Sequence, residues 1–355
     1  MNAANSAVMA GREIMGRIDA LSVSIAEAYY FSHPDEAADI RAKTKAVEDC
    51  RYHLRSLAGA METRQPLLFA HYVEWAAVLL AGLRLPAHIM AETLRCMRDV
   101  LLQALPAELA PVTGEYLDAG LETWRPGAAR QPGFAEEGAP HAPLARDYMA
   151  ALLDGDRRRA SSLILIAADS GTSVADIYLH VFQPSQRELG RLWQTNRISV
   201  AMEHYCTAAT QLIMSQLYPR IFSAASKGRR LVAACVGGDL HEIGLRMISD
   251  FFEMQGWDTF YLGANTPTDS VIRATIERRA HLLAISVTMT YHLQAATDLI
   301  ARVRATPECA GVRVMVGGYP FNIAPGLWQT VGADAWAGDA GQAVGGAERL
   351  EYRDN

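Results

Sequence analysis

The chain has 355 residues, with 33 Lys and Arg against 39 Asp and Glu for a net charge of -6. At roughly 100–200 residues per domain this length suggests two or three domains, and the acidic balance argues against a general nucleic-acid binder, which carries a basic face. No run approaches the ~18 apolar residues of a membrane span, Arg12, Glu13, Arg17, Asp19 and Glu27 interrupt the start in a way no signal peptide does, and five scattered cysteines (Cys50, Cys96, Cys206, Cys235, Cys309) without Cys-x-x-Cys spacing fit a reduced cytoplasm and exclude a disulfide scaffold or cysteine zinc site.

Residues 1–124 read as all helix. Apolar residues recur at helical spacing in LRSLAGAM, YVEWAAVLLAGL and IMAETLRCMRDVLLQAL. Pro34, Pro66, Pro86 and Pro106 fall where helices start or stop, and five or six helices fit. Residues 125–143 read as a linker, because Pro126, Pro132, Pro140 and Pro143 among Gly and Ala deny it a helix or a central strand. Residues 144–226 read as a four-helix bundle. Asp154-Gly155-Asp156 separates the first pair of helices and Ser170-Gly171-Thr172-Ser173 the second, with Thr172 or Ser173 placed to cap the helix that follows.

From residue 227 the texture changes. LVAACV, DTFYLG, HLLAISV, VRVMVGG and ADAWAG are five short apolar runs, most of them separated by helical stretches. The alternation predicts a parallel sheet with helices on both faces over 227–355, and ligands on such sheets bind beyond the carboxyl ends of the strands. The loops predicted there carry Asp239-Leu240-His241-Glu242-Ile243-Gly244, then Ser286-Val287-Thr288, then Gly317-Gly318. A His two residues after an Asp receives a hydrogen bond on one ring nitrogen while the other binds a metal. Paired glycines let backbone approach something bulky.

Asp-x-His-x-x-Gly, followed by Ser-x-Thr and Gly-Gly, resembles the cobalamin-binding domain of vitamin B12 proteins over about 228–345. The resemblance implies that His241 is the lower axial ligand of cobalt and Asp239 its hydrogen-bond partner. It implies too that Leu240 belongs to the same cofactor loop, and that Gly244, Ser286, Thr288, Gly317 and Gly318 line the channel for the displaced nucleotide tail.

The bundle ahead of this domain contains LGRLWQTNRISVAMEHYCTAATQ, in which Trp193 closes one helix and Ser199 opens the next. Trp193, Glu203 and His204 follow a Trp-x9-Glu-His pattern similar to that of the light-sensing cobalamin repressors. There the motif packs on the adenosyl group of adenosylcobalamin, which implies that Trp193, Val200, Glu203 and His204 face the upper side of the cofactor. One departure stands out. Gln194 occupies the position at which those repressors carry a second cobalt-binding His, which puts a light-formed bis-His linkage in doubt unless His204 or His180 substitutes.

The front region lacks a basic recognition helix, so a repressor is not expected. Residues 1–124 resemble the globin-like N-terminal domain of photocobilins, which bind biliverdin as well as cobalamin. That resemblance implies bilin contacts at Arg51, His53, Arg55, His71, Tyr72 and Trp75, with Cys50 as an optional thioether site. The expectation is a cytoplasmic, non-enzymatic light sensor with adenosylcobalamin and biliverdin as chromophores, forming light-dependent homo-oligomers or acting on an effector protein, without nucleic acid or membrane. Two alternatives stand beside it: a corrinoid methyl-carrier protein of a methyltransferase system, and a light-independent cobalamin-sensing scaffold.

Overall fold

The N-terminal third of the computed structural model, which describes residues 3–36, 40–124, 138–222, 224–324, 326–350 and 352, is built from helices. They are α1 (Ala3–Gly16), α2 (Ile18–Ser32), α3 (Ile40–Glu62), α4 (Pro66–Gly82), α5 (His88–Ala104) and α6 (Ala110–Thr123). Prolines mark their starts. Pro66 opens α4, where its missing N–H costs nothing, and Pro34 opens a single 3₁₀ turn after α2. Leu54, Leu57 and Met61 of α3, Leu68, Phe69 and Val73 of α4 and Leu117 of α6 are buried to the last few per cent. Each contributes about 1.5–3 kcal/mol by leaving water.

The chain divides into two compact units. One is Met1–Ala129 with Thr288–Asp298 and Tyr319–Val331; the other is Arg130–Val287 with Leu299–Gly318 and Gly332–Asn355. Of the expected linker, residues 125–137 lie outside the described residues, and the next helix already starts at Ala142.

The bundle comprises α7 (Ala142–Leu153), α8 (Arg157–Asp169), α9 (Val174–Ile177), α10 (Gln183–Gln194), α11 (Val200–Gln216) and a last short turn, α12 (Tyr218–Ile221). The expected breaks are in place. The side chains of Asp156, Ser173 and Ser199 accept from Arg159, Asp176 and Met202 N–H at 2.9, 3.0 and 3.2 Å, each cap worth about 1 kcal/mol. Between α9 and α10 the helix widens into a π turn at Tyr178–Phe182. Pro184 supplies a cause: it has no N–H to donate one turn back, and its ring crowds the carbonyl there.

The five apolar runs become β1 (Arg230–Cys235), β2 (Asp258–Gly263), β3 (Leu282–Ser286), β4 (Arg313–Gly317) and β5 (Ala335–Ala337). They pair in parallel in the order β2-β1-β3-β4-β5. The helices between and after them are α13 (Ile243–Met254), α14 (Thr268–Glu277), α15 (Leu293–Ala305), α16 (Tyr319–Ile323), α17 (Leu327–Thr330) and α18 (Ala340–Glu348). Leu231, Ala233, Cys235, Leu282, Ala284, Met315 and Ala337 pack with Leu245 and Phe252 of α13 and Ala343 and Ala347 of α18. The period of two turns Val232, Ala234, Leu283, Ile285, Val314 and Val316 to the other face, where they too are buried. Burial on both faces is why these strands read as continuous apolar runs. The outer side of α13 adds Met247 and Phe251 to the bundle core of Tyr148, Tyr178, Phe182 and Met214, so bundle and sheet share one unit.

Candidate functional site

Strand order reverses between β1 and β3, and the loops leaving their carboxyl ends flank that switch point, where ligands of open parallel sheets bind. The loop after β1 carries Asp239 and His241. Asp239 is fully buried; its Oδ1 takes His241 Nδ1 at 2.9 Å and the His241 backbone N–H at 3.0 Å. The His241 side chain is 59% exposed. The Asp239 hydrogen bond holds the imidazole above its ordinary pKa against the opposing effect of burial, and the charge of Glu203 on α11 adds to the rise. In the neutral ring, an Nδ1–H donated to Asp239 leaves Nε2 as the acceptor nitrogen. Leu240, between the two, is exposed, as is Val200 at the start of α11.

Ser286 ends β3 in register with Cys235 and Gly317. Val287 N–H donates to Gly317 O at 3.0 Å. Gly318 has φ +110°, and a Cβ there would sit 1.9 Å from the Val287 carbonyl oxygen, so only glycine lets the β3 and β4 ends close up. Gly244, in the first turn of α13, has nothing within 4 Å of where a Cβ would stand. Thr288 begins the segment that belongs to the helical unit.

On the bundle, Trp193 is half-buried at the end of α10, and Gln194 beside it is buried. Glu203 Oε2 meets His204 Nδ1 at 2.6 Å, while Glu203 Oε1 accepts from Thr207 at 2.9 Å. The structure thus brings Glu203 within electrostatic reach of His241 and leaves His204 largely exposed. Sequence reasoning missed Glu242, Gln211, Tyr261 and Asn265, which brace the His241 loop. The one signal was Glu242's place directly after the histidine.

In the helical unit, His53 Nδ1 and Tyr72 OH are 2.8 Å apart in the interior. Burial pushes His53 down to about 4 and Tyr72 upward. The Tyr72 ring stacks against Phe69 and Trp75. Arg51 pairs with Asp19 at 2.9 Å and His71 with Glu74 at 3.6 Å, and Arg55 is half-buried. Burial pushes the Cys50 thiol up to about 12, which suppresses the thiolate a thioether bond needs. All five cysteines are free thiols.

A sequence model of the B12 binding domain matches residues 229–347, and a second B12 binding domain model matches 144–218. Dimethylamine corrinoid protein 1 of Methanosarcina acetivorans is 31% identical over 129 residues, 36% of this chain and 59% of that protein. Dimethylamine corrinoid protein 3 of Methanosarcina mazei is 32% identical over 129 residues, 36% of this chain and 75% of that protein. The monomethylamine corrinoid protein of Methanosarcina barkeri shares the fold, with a TM-score of 0.52 at 20% identity over 58% of this chain and 97% of that one. The chain spans just over half the length of the first of these relatives.

These relatives correct the expectation of a light sensor: they are methylamine corrinoid proteins, and they favour the methyl-carrier alternative. Gln194, at the position of the repressors' second cobalt ligand, is buried, and His204 and His180 lie beside carboxylates at Glu203 and Asp176. Among the described residues no helix is long and apolar enough to cross a membrane.

Proposed function

Because this chain belongs to the family of corrinoid proteins built on the B12 binding domain, we propose that it holds a corrinoid at the carboxyl edge of its sheet and carries methyl groups for a methyltransferase partner. The observation that carries the proposal is the His241–Asp239 pair, an exposed imidazole whose Nδ1 is fixed by a fully buried carboxylate. The surroundings fit the cofactor. Leu240 and Val200 offer exposed apolar flanks, and Gly244 faces open space. When bound, the corrinoid supplies a cobalt centre that takes up and gives off a methyl group.

The chain's own residues do the rest. His241 would give the cobalt a nitrogen donor, and Asp239 would keep that donor in one tautomer and orientation and make it more basic. Ser286, Gly317 and Gly318, at the ends of β3 and β4, would line the channel for the corrinoid's tail. Trp193, Val200, Glu203 and His204 of α10 and α11 would form the cover over a bound corrinoid and keep water from it. A carrier of this kind is a substrate for its partner's chemistry and not an enzyme by itself. It requires a methyl ligand and neither an adenosyl group nor a bilin in the helical unit.

Titration of the cofactor-free chain with methylcobalamin and adenosylcobalamin tests this. The carrier assignment expects methylcobalamin to bind at least as tightly as adenosylcobalamin, with a visible-band shift that His241→Ala abolishes. Binding of the adenosyl form alone, or an unchanged spectrum in His241→Ala, contradicts it.

A further inference from the structure

Glu242 follows His241 directly, and two segments, α11 and the end of β2, meet on its carboxylate. Oε1 accepts from Gln211 Nε2 of α11 at 2.7 Å. Oε2 accepts from Tyr261 OH at 2.9 Å and from Ala264 N–H at 3.0 Å. The end of β2 is shaped for this approach: Gly263 has φ +80°, and a Cβ there would stand 3.0 Å from Oε2. One residue further, Asn265 N–H donates to Asp239 O at 2.8 Å and Asn265 Oδ1 accepts from Gly238 N–H at 2.7 Å. The strand end gripped by Glu242 therefore also braces the loop that aims His241. On the other side, Gln211 lies two turns along α11 from Glu203.

We infer that Glu242 is a positioning residue that seats α11 against the His241 loop and so sets how readily the upper side of a bound corrinoid opens to an incoming group. The inference rests on the corrinoid-carrier function proposed above. A carboxylate that accepts three hydrogen bonds, two of them from the end of β2 and one from α11, resists parting because each lost bond to a charged acceptor is costly. Replacing it with an apolar side chain removes this tie between α11 and the end of β2, and leaves the Arg246–Ser215 bond and the shared apolar core to hold α11 against α13. Glutamine is different. Its amide oxygen still accepts from Tyr261 and Ala264, and Gln211 turns its own amide over to accept from the new NH₂.

The test uses the full chain loaded with aquocobalamin, and reads the rate at which cyanide enters the upper position by stopped-flow absorbance. Glu242→Leu and Gln211→Leu are expected to speed entry about tenfold, and the double variant is expected to be no faster than either single one, because both remove the same contact. Glu242→Gln is expected to stay within about twofold of the parent. A second readout needs no cofactor: hydrogen exchange at the Ala264 amide speeds up in Glu242→Leu and not in Glu242→Gln. Entry at the parent rate in both leucine variants, with cobalamin bound, overturns the role of Glu242 alone. Should Glu242→Leu fail to fold, Gln211→Leu decides the matter from the cap side. A parent chain that takes up no cobalamin removes the carrier function, and with it this inference, whatever the exchange at Ala264.

Discussion

Burying the Asp239 carboxylate costs free energy that its hydrogen bonds to the His241 ring and backbone N–H offset. Asp239→Asn keeps the shape and weakens the acceptor. Cobalamin affinity is expected to fall about 10–100-fold, read by equilibrium titration; an unchanged affinity would mean that His241 needs no fixing. The two glycines of the site separate by the same logic. Gly318→Ala forces a Cβ against the Val287 carbonyl at φ +110° and is expected to destabilise the chain by at least about 1–3 kcal/mol, visible as a lower urea midpoint. Gly244→Ala meets nothing within 4 Å and is expected to leave the midpoint unchanged or slightly raised, as helical Ala replaces Gly. At this scale the sequence was most informative where the chemistry is local. Asp239 and His241 are two residues apart, and their contact needs only one turn. Glu242 and Gln211 were not legible, because their contact spans 31 residues and two elements, and neither residue type advertises it.

Along α13 the residues that face the bundle alternate between apolar and polar. Met247 and Phe251 enter the bundle core, while Arg246 Nη2 donates to Ser215 at 2.7 Å and Tyr178 OH donates to Asp250 at 2.7 Å. Burial raises Asp250 from the ordinary carboxylate range to about 6, with the Tyr178 hydrogen bond and Arg246 opposing. A raised carboxylate pKa means that the folded chain prefers the protonated acid. The stabilisation is complete below about pH 4 and is lost as pH rises through about 6. Asp250→Asn is therefore expected to gain on the parent between pH 4 and 7, by up to roughly 3 kcal/mol, and then level off. Urea midpoints measured across that range check it; parallel curves for parent and variant would show that Asp250 ionises freely. Helices and strands of this region were legible from periodicity, the break at Asp154-Gly155-Asp156 and the cap at Thr172 or Ser173 from residue type, and the structure places that cap at Ser173. Strand order was not, because pairing depends on how crossovers pack. The π turn at 178–182 was missed as well: Pro184 stood in view, but whether a proline breaks or widens a helix depends on neighbours that only the bundle provides.

For the whole molecule, the bundle and the sheet form one unit and both fall under B12 binding domain models. A ligand that binds only the folded chain stabilises it by mass action, about 2.7 kcal/mol at a hundredfold excess over Kd. Cobalamin is accordingly expected to raise the melting temperature of the parent and to do little for His241→Ala; equal shifts in the two would place the cofactor elsewhere. The cofactor class was legible because Asp-x-His-x-x-Gly, Ser-x-Thr and Gly-Gly fall on three loops of one sheet edge. Its use was not. Trp193, Glu203 and His204 are spaced by helix geometry at the end of α10 and the start of α11, and that spacing alone does not say which group they face. The claim on which the rest depends is that His241 ligates cobalt. Electron paramagnetic resonance of the cobalt(II) corrinoid bound to protein grown with ¹⁵N-histidine tests it most directly. The account predicts that each cobalt line splits into a doublet from the labelled imidazole nitrogen, and that the doublet vanishes in His241→Ala. A triplet from the cofactor's own unlabelled base, unchanged by labelling or by the substitution, would contradict it.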